Sequence, residues 1–151
     1  MISVQEQDFD LAGEYSYLRE SAGNAGAIVT FTGLVREFYE ADAEQPVQRL
    51  FLEHYPGMTE KALDDIVSQA ASRWDLQASR VIHRIGNLRP GDQIVFVGTA
   101  STHRHHAFSA AEFIMDYLKS RAPFWKKQHS ADQVRWVESR TLDVDALKRW
   151  S

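Results

Sequence analysis

Lys119, Arg121, Lys126 and Lys127 place four cations in one short stretch with no acid among them, and Pro123, Phe124 and Trp125 lie between the pairs. Ammonium groups held beside aromatic walls are chemically useful. Mutual repulsion and desolvation lower the pKa of one of them, which makes it an amine nucleophile or a general base near neutral pH. Arg121 has a simpler reading as a last-turn cation complementing a helix dipole. Pro123 disfavours helical geometry at Ala122, so the chain beyond is expected to be extended. In a strand, Phe124, Lys126 and Gln128 then face one way and Trp125 and Lys127 the other, so only Lys126 of the adjacent lysines can turn back toward Lys119. The competing reading for Lys126 is a solvated strand lysine.

A second basic island, His103-Arg104-His105-His106, follows Ala100-Ser101-Thr102 and opens a helical pattern. Cations at a helix N-terminus are disfavoured by about 0.3–1 kcal/mol each, whereas anions are favoured there. The arrangement therefore points to an anion site in which His103, Arg104 and backbone N–H groups hold a phosphate or carboxylate. Ser101 or Thr102 is expected to cap this helix, and His105 and His106 to extend into water. A third cation, Arg36, ends the stretch Thr32-Gly33-Leu34-Val35-Arg36, where it can clamp an anion bidentately or stand as a surface residue.

Other chemistries have little support. The chain has no cysteine, hence no disulfide, thiolate metal site or cysteine nucleophile. His103 and His106 have helical i, i+3 spacing, but Arg104 between them would repel a cation and no HExxH pattern occurs. No metal and no cofactor are expected. A net charge of -4 argues against nucleic-acid binding through a broad basic surface. No apolar run approaches a membrane span, and the first ten residues carry no targeting pattern, so the cytoplasm is the expected location.

One domain over residues 1–151 must position these groups, since no linker, repeat or low-complexity segment divides the chain. The patterning gives a short edge strand over 2–7 and a helix over 10–20 capped by Asp10. Strands over 27–35 and 47–55 follow, separated by an acidic irregular loop. A helix over 59–74 buries Leu63, Ile66, Val67, Ala70 and Trp74, with Thr59 as N-cap and Met58 stapled onto Leu63. Residues 79–86 and 93–102 read as an antiparallel hairpin across the turn 87–92. The helix over 103–121 is expected to bury Phe108, Ala111, Met115 and Leu118. Two strands, 124–128 and 134–139, and a short helix from Asp143 complete an α+β fold with antiparallel pairing.

With these residues in view, the chain resembles the large, catalytic subunits of molybdopterin synthases. The stretches that carry the likeness are FTGLVR (31–36), LEHYPGMTEKAL (52–63), VIHRIGNLRPGDQIVFVG (81–98), AFSAAEFIMDYLKSRAPFWKK (107–127) and RWVESR (135–140). The resemblance implies an α/β hammerhead fold with additional antiparallel strands. It also implies insertion of two sulfurs into cyclic pyranopterin monophosphate, giving a dithiolene. The sulfur would come from the C-terminal Gly-Gly thiocarboxylate of a small ubiquitin-like subunit, on a homodimer of large subunits at the core of a heterotetramer. Carried over by position, Lys119 and Lys126 match the active-site lysines, and His103, Arg104 and Arg36 match substrate contacts. Leu34, Val35, Lys127 and Gln128 fall at substrate-binding positions, and Phe31, Met115 and Arg140 near the pocket. Leu34 departs from the lysine often found there. The alternative from the residues alone is a non-catalytic binding module for phosphorylated metabolites.

Overall fold

A computed structural model of the chain describes residues 1–36, 49–129, 134–137 and 145–150, with 49, 125–129 and 134–137 described by backbone alone. The elements run β1 (Ile2–Gln5), α1 (Leu11–Ala22), β2 (Ala27–Leu34), β3 (Arg49–His54), α2 (Met58–Arg73) and β4 (Leu76–Arg84). They continue through β5 (Gly86–Leu88), β6 (Gln93–Ser101), α3 (Arg104–Arg121), β7 (Phe124–His129), β8 (Val134–Val137) and a 3-10 turn, Leu147–Trp150. The class is α+β, as expected. The acidic loop, the first positions of the 47–55 strand, the end of the 134–139 strand and the start of the terminal helix lie outside the described residues.

Two four-stranded sheets form, ordered β1-β4-β6-β2 and β5-β3-β7-β8. Pairing is antiparallel throughout the described strands except between β1 and β4, which run parallel with Ile2 opposite Val81. The edge position expected for β1 is found; its parallel partner corrects the all-antiparallel expectation. The hairpin of β4 and β6 is also found, but residues 86–88 are not merely its turn. Gly86, at φ 86, lets the chain leave the first sheet, and β5 pairs with β3 in the second. The turn proper is closed by Asp92, whose N–H donates to the Arg89 carbonyl at 3.0 Å and whose Oδ2 accepts the Arg89 N–H at 2.8 Å.

Alternation along the central strand β6 sorts the packing. Phe96 faces α1 and meets Phe9, Leu18 and Ile82. Val95 and Val97 face the other way and share the main core with Leu63, Ile66 and Ala70 of α2 and Ala110, Phe113, Ile114 and Leu118 of α3. Leu50, Leu52 and Leu88 of the second sheet join that same core, so the second sheet is packed onto the first rather than standing apart.

Three helix details differ from expectation. Asp10 caps α1 as anticipated, its Oδ2 accepting the Gly13 N–H at 3.2 Å. Thr59, however, lies inside α2, and Gly57, at φ 86, precedes the helix without a side-chain cap. Met58 is 65% exposed and staples nothing. On α3, Ala111 and Leu118 are buried and Met115 packs at the core margin, but Phe108 is 58% exposed; the buried stripe runs instead through Ala107, Ala110, Phe113, Ile114 and Tyr117. Small alanines on this stripe let the helix lie close against the sheet.

Candidate active site

The C-terminal end of α3 carries the first group of candidates. Tyr117 and Leu118 are buried, and Lys119, next along the chain, is half-buried. Arg121 stands over the Tyr117 ring at 4.9 Å, which holds it back along the helix and away from the chain ahead. Pro123 ends the helix as expected. Ala122 is extended at φ -74, ψ 128, its N–H still donating to the Leu118 carbonyl at 3.3 Å. The Phe124 N–H donates to the Ala122 carbonyl at 3.0 Å, closing a three-residue turn about Pro123. Beyond this elbow the Phe124 ring stacks on buried His83 at 3.9 Å and 23°.

From the elbow β7 runs between β3 and β8. Lys126 holds the register position opposite Leu52, Lys127 opposite Phe51 and Gln128 opposite Leu50. Leu52 and Leu118 belong to one core, so the backbone of Lys126 and the helix turn carrying Lys119 are built onto the same apolar mass. Arg140 lies outside the described residues.

Arg36 belongs to this end of the molecule too. The β2–β6 register shifts between Gly33 and Leu34, and a Cβ at Gly33 would stand 2.6 Å from Val95 Cγ1, so any larger residue at this crossing must displace the Val95 side chain. Val35 is buried, its N–H donating to the Asp92 carbonyl at 2.9 Å and its carbonyl accepting the Gly91 N–H at 2.7 Å. Val35 thereby anchors the exposed Arg36, and its own side chain points into the core. Leu34 and Phe31 are exposed, at 56% and 42%.

The second basic island sits at the other end of α3. His103 is the N-cap residue but makes no side-chain capping bond, and the first turn holds no acid. Neither Ser101 nor Thr102 caps the helix. Ser101 Oγ donates to the Asp75 carbonyl at 2.5 Å and accepts the His103 N–H at 3.3 Å, while Thr102 Oγ1 accepts from Gln77 Nε2 at 2.7 Å. These bonds tie the β6–α3 connection to the start of β4. Gly26 presses on the same connection, where any Cβ would collide with the Thr102 carbonyl. His103, Arg104 and His105 are exposed. His106 departs from expectation: it is half-buried, edge-on to His103 at 5.6 Å, and its Nδ1 is shielded from solvent. Among the described residues no three His, Asp or Glu side chains cluster closely enough to hold a metal ion, and no helix is long and apolar enough to cross a membrane.

The two basic ends do not meet within one chain. α3 follows β6 through a two-residue connection and doubles back over β6 and β2. Its last turns therefore return to the end of the sheet where Leu34 pairs with Gln93 and Arg36 follows. At 1.5 Å per residue, Arg104 and Lys119 are separated by about 22 Å of helix. Lys119 and Arg36 thus share one end, and His103 and Arg104 occupy the opposite one.

The profile of the MoaE protein family matches residues 4–121. The chain is 55% identical over 149 residues to the molybdopterin synthase catalytic subunit of Ralstonia nicotianae, covering 99% of this chain and 83% of that protein. Among solved structures, the molybdopterin biosynthesis MoaE protein of Burkholderia ambifaria superposes with a TM-score of 0.84 at 45% identity, over 100% of this chain and 98% of the other. The molybdopterin synthase of Staphylococcus aureus superposes with a TM-score of 0.80 at 28% identity, over 89% and 95%. By sequence over nearly its whole length, and by fold, the chain belongs to the MoaE protein family.

Proposed function

We propose that the chain is the catalytic subunit of a molybdopterin synthase, a sulfurtransferase of molybdenum cofactor biosynthesis acting in the cytoplasm. The substrate is cyclic pyranopterin monophosphate, and the sulfur donor is the C-terminal Gly-Gly thiocarboxylate of a small ubiquitin-like subunit. Each transfer forms a C–S bond at a pterin side-chain carbon as a C–O bond there breaks; water then cleaves the donor's C–S bond, its oxygen leaving the donor tail as a carboxylate. The observation that carries this reading is Lys119 itself: an amine half-buried beside Leu118, at the junction of two sheets, with Arg36 at the same end. A lysine amine in that place can attack an acyl carbon or transfer a proton during ring opening. Lys126, seven residues on across the elbow, holds developing negative charge.

The phosphate needs a cradle, for which His103 and Arg104 have the right chemistry: an arginine fork and an imidazole at an acid-free helix start. About 22 Å of helix separates them from Lys119 of the same chain. A complete site therefore takes Lys119, Lys126 and Arg36 from one copy and His103 and Arg104 from a second, in a homodimer with one small subunit serving each site. The test is an assay of dithiolene product from purified chain, thiocarboxylated small subunit and pyranopterin. Lys119→Ala should remove product formation while leaving thermal unfolding unchanged. Wild-type protein that binds the pterin but forms no product with the donor present would show a binding module instead.

A further inference from the structure

We infer that Thr59 is a positioning residue for this reaction, fixing the elbow between the helix end that carries Lys119 and the strand that carries Lys126; the inference rests on the reading of Lys119 as the reacting amine. Thr59 is completely buried in the first turn of α2. Its Oγ1 accepts the Tyr55 N–H at 3.0 Å and donates to the Pro123 carbonyl at 2.8 Å. Its own N–H donates to the Tyr55 carbonyl at 2.9 Å, so residue and hydroxyl are held by Tyr55 from two directions. A hydroxyl has one proton. With the Tyr55 N–H occupying an acceptor position, that proton is directed at Pro123.

Pro123 is the pivot between the two lysines, four residues beyond Lys119 and three before Lys126. Proline has no N–H, so its carbonyl is the one backbone group by which the pivot can be held through a hydrogen bond. The turn about it is already closed between Ala122 and Phe124, and the Phe124 ring lies flat on His83. The Thr59 bond adds the third restraint, tying the elbow to α2 and to the end of β3. β3 is also the strand against which Lys126 is registered. One side chain thus links the helix end, the pivot and the strand that fixes the second lysine, 60 residues before the first. The hydroxyl serves the bridge, and the methyl group fills buried space.

Two substitutions separate these functions. Thr59→Val keeps the shape and removes both bonds; Thr59→Ser keeps the hydroxyl and opens a methyl-sized void. For Thr59→Val we expect cooperative unfolding, a KM for the pterin within about twofold of wild type and a kcat lower by roughly ten- to a hundredfold, the order associated with slight misplacement of a reacting group. For Thr59→Ser we expect a lower Tm and a kcat within about twofold of wild type. A folded Thr59→Val with wild-type kcat, or kcat values that simply follow Tm in the two variants, would overturn the inference. Should Thr59→Val not fold, Thr59→Ser decides alone: near-wild-type kcat per folded molecule supports the role, and a loss of about tenfold or more ends it. Lys119→Ala, assayed alongside, distinguishes the two levels. If it turns over normally, the reading of the site fails; if it is inactive while Thr59→Val is fully active, only the Thr59 inference fails.

Discussion

The chemistry proposed for Lys119 follows from where α3 ends. One residue earlier the helix is buried, and two residues later Arg121 is turned back onto Tyr117, so Lys119 is the cation left at the boundary between core and solvent. Lys119→Arg, which retains charge but cannot supply a neutral amine, should therefore lose as much turnover as Lys119→Ala, about a hundredfold or more in kcat. A retained rate in the arginine variant would reduce the role to charge alone. Asp8 offers a test of the fold that is independent of catalysis. Its carboxyl pKa is held below the ordinary value by the Gln93 side-chain N–H at 2.8 Å, and further by the Phe9 N–H. A depressed carboxyl contributes stability that is complete above its unfolded pKa and is lost as pH falls through the folded one. Asp8→Asn should accordingly flatten the acid limb of a stability–pH curve below about pH 4, lying below wild type at pH 7 and converging with it in acid.

At the scale of elements, the terminal 3-10 turn forms a clasp on α3. Asp116 Oδ2 accepts Trp150 Nε1–H at 2.6 Å and Arg149 at 2.7 and 3.2 Å; Arg73 of α2 donates to the Trp150 carbonyl at 3.1 Å. The Trp150 ring stands edge-on to Trp74 and Phe113, each at 5.5 Å. Trp150→Ala should cost about 2–3 kcal/mol, below the range for a fully buried tryptophan because this one is half-buried. In a chain of this size that corresponds to several degrees of Tm, measurable by calorimetry. What the sequence disclosed at this scale was local. Pro123 dictated the elbow, Asp10 the start of α1, and β-branched runs the strands. The contacts that turn these elements into a site were not legible, because they join distant residues: Thr59 to Pro123, Asp116 to Trp150, β1 to β4 in parallel. Thr59 precedes a helical pattern and looks like a cap, and only the close approach of Pro123 shows its hydroxyl to be a bridge. Phe108 failed similarly, since helical spacing defines a stripe but the packing of α3 on β6 and β2 decides which stripe is covered.

For the whole molecule, the central claim is that a complete site needs two copies of the chain, because one helix holds the proposed phosphate cradle and the proposed reacting amine at opposite ends. The two basic islands were conspicuous in the sequence, and their 15-residue spacing already implied the separation once the helix between them proved continuous. Mixing two inactive variants tests this most directly. Lys119→Ala and Arg104→Ala are unfolded together, refolded at equal concentration and assayed for dithiolene product. Random pairing makes half the dimers mixed, and each mixed dimer has one site with both residues intact, so about a quarter of wild-type activity should return. If the mixture stays as inactive as its components although mixed dimers are shown to form, each site is built within a single chain and the account is wrong.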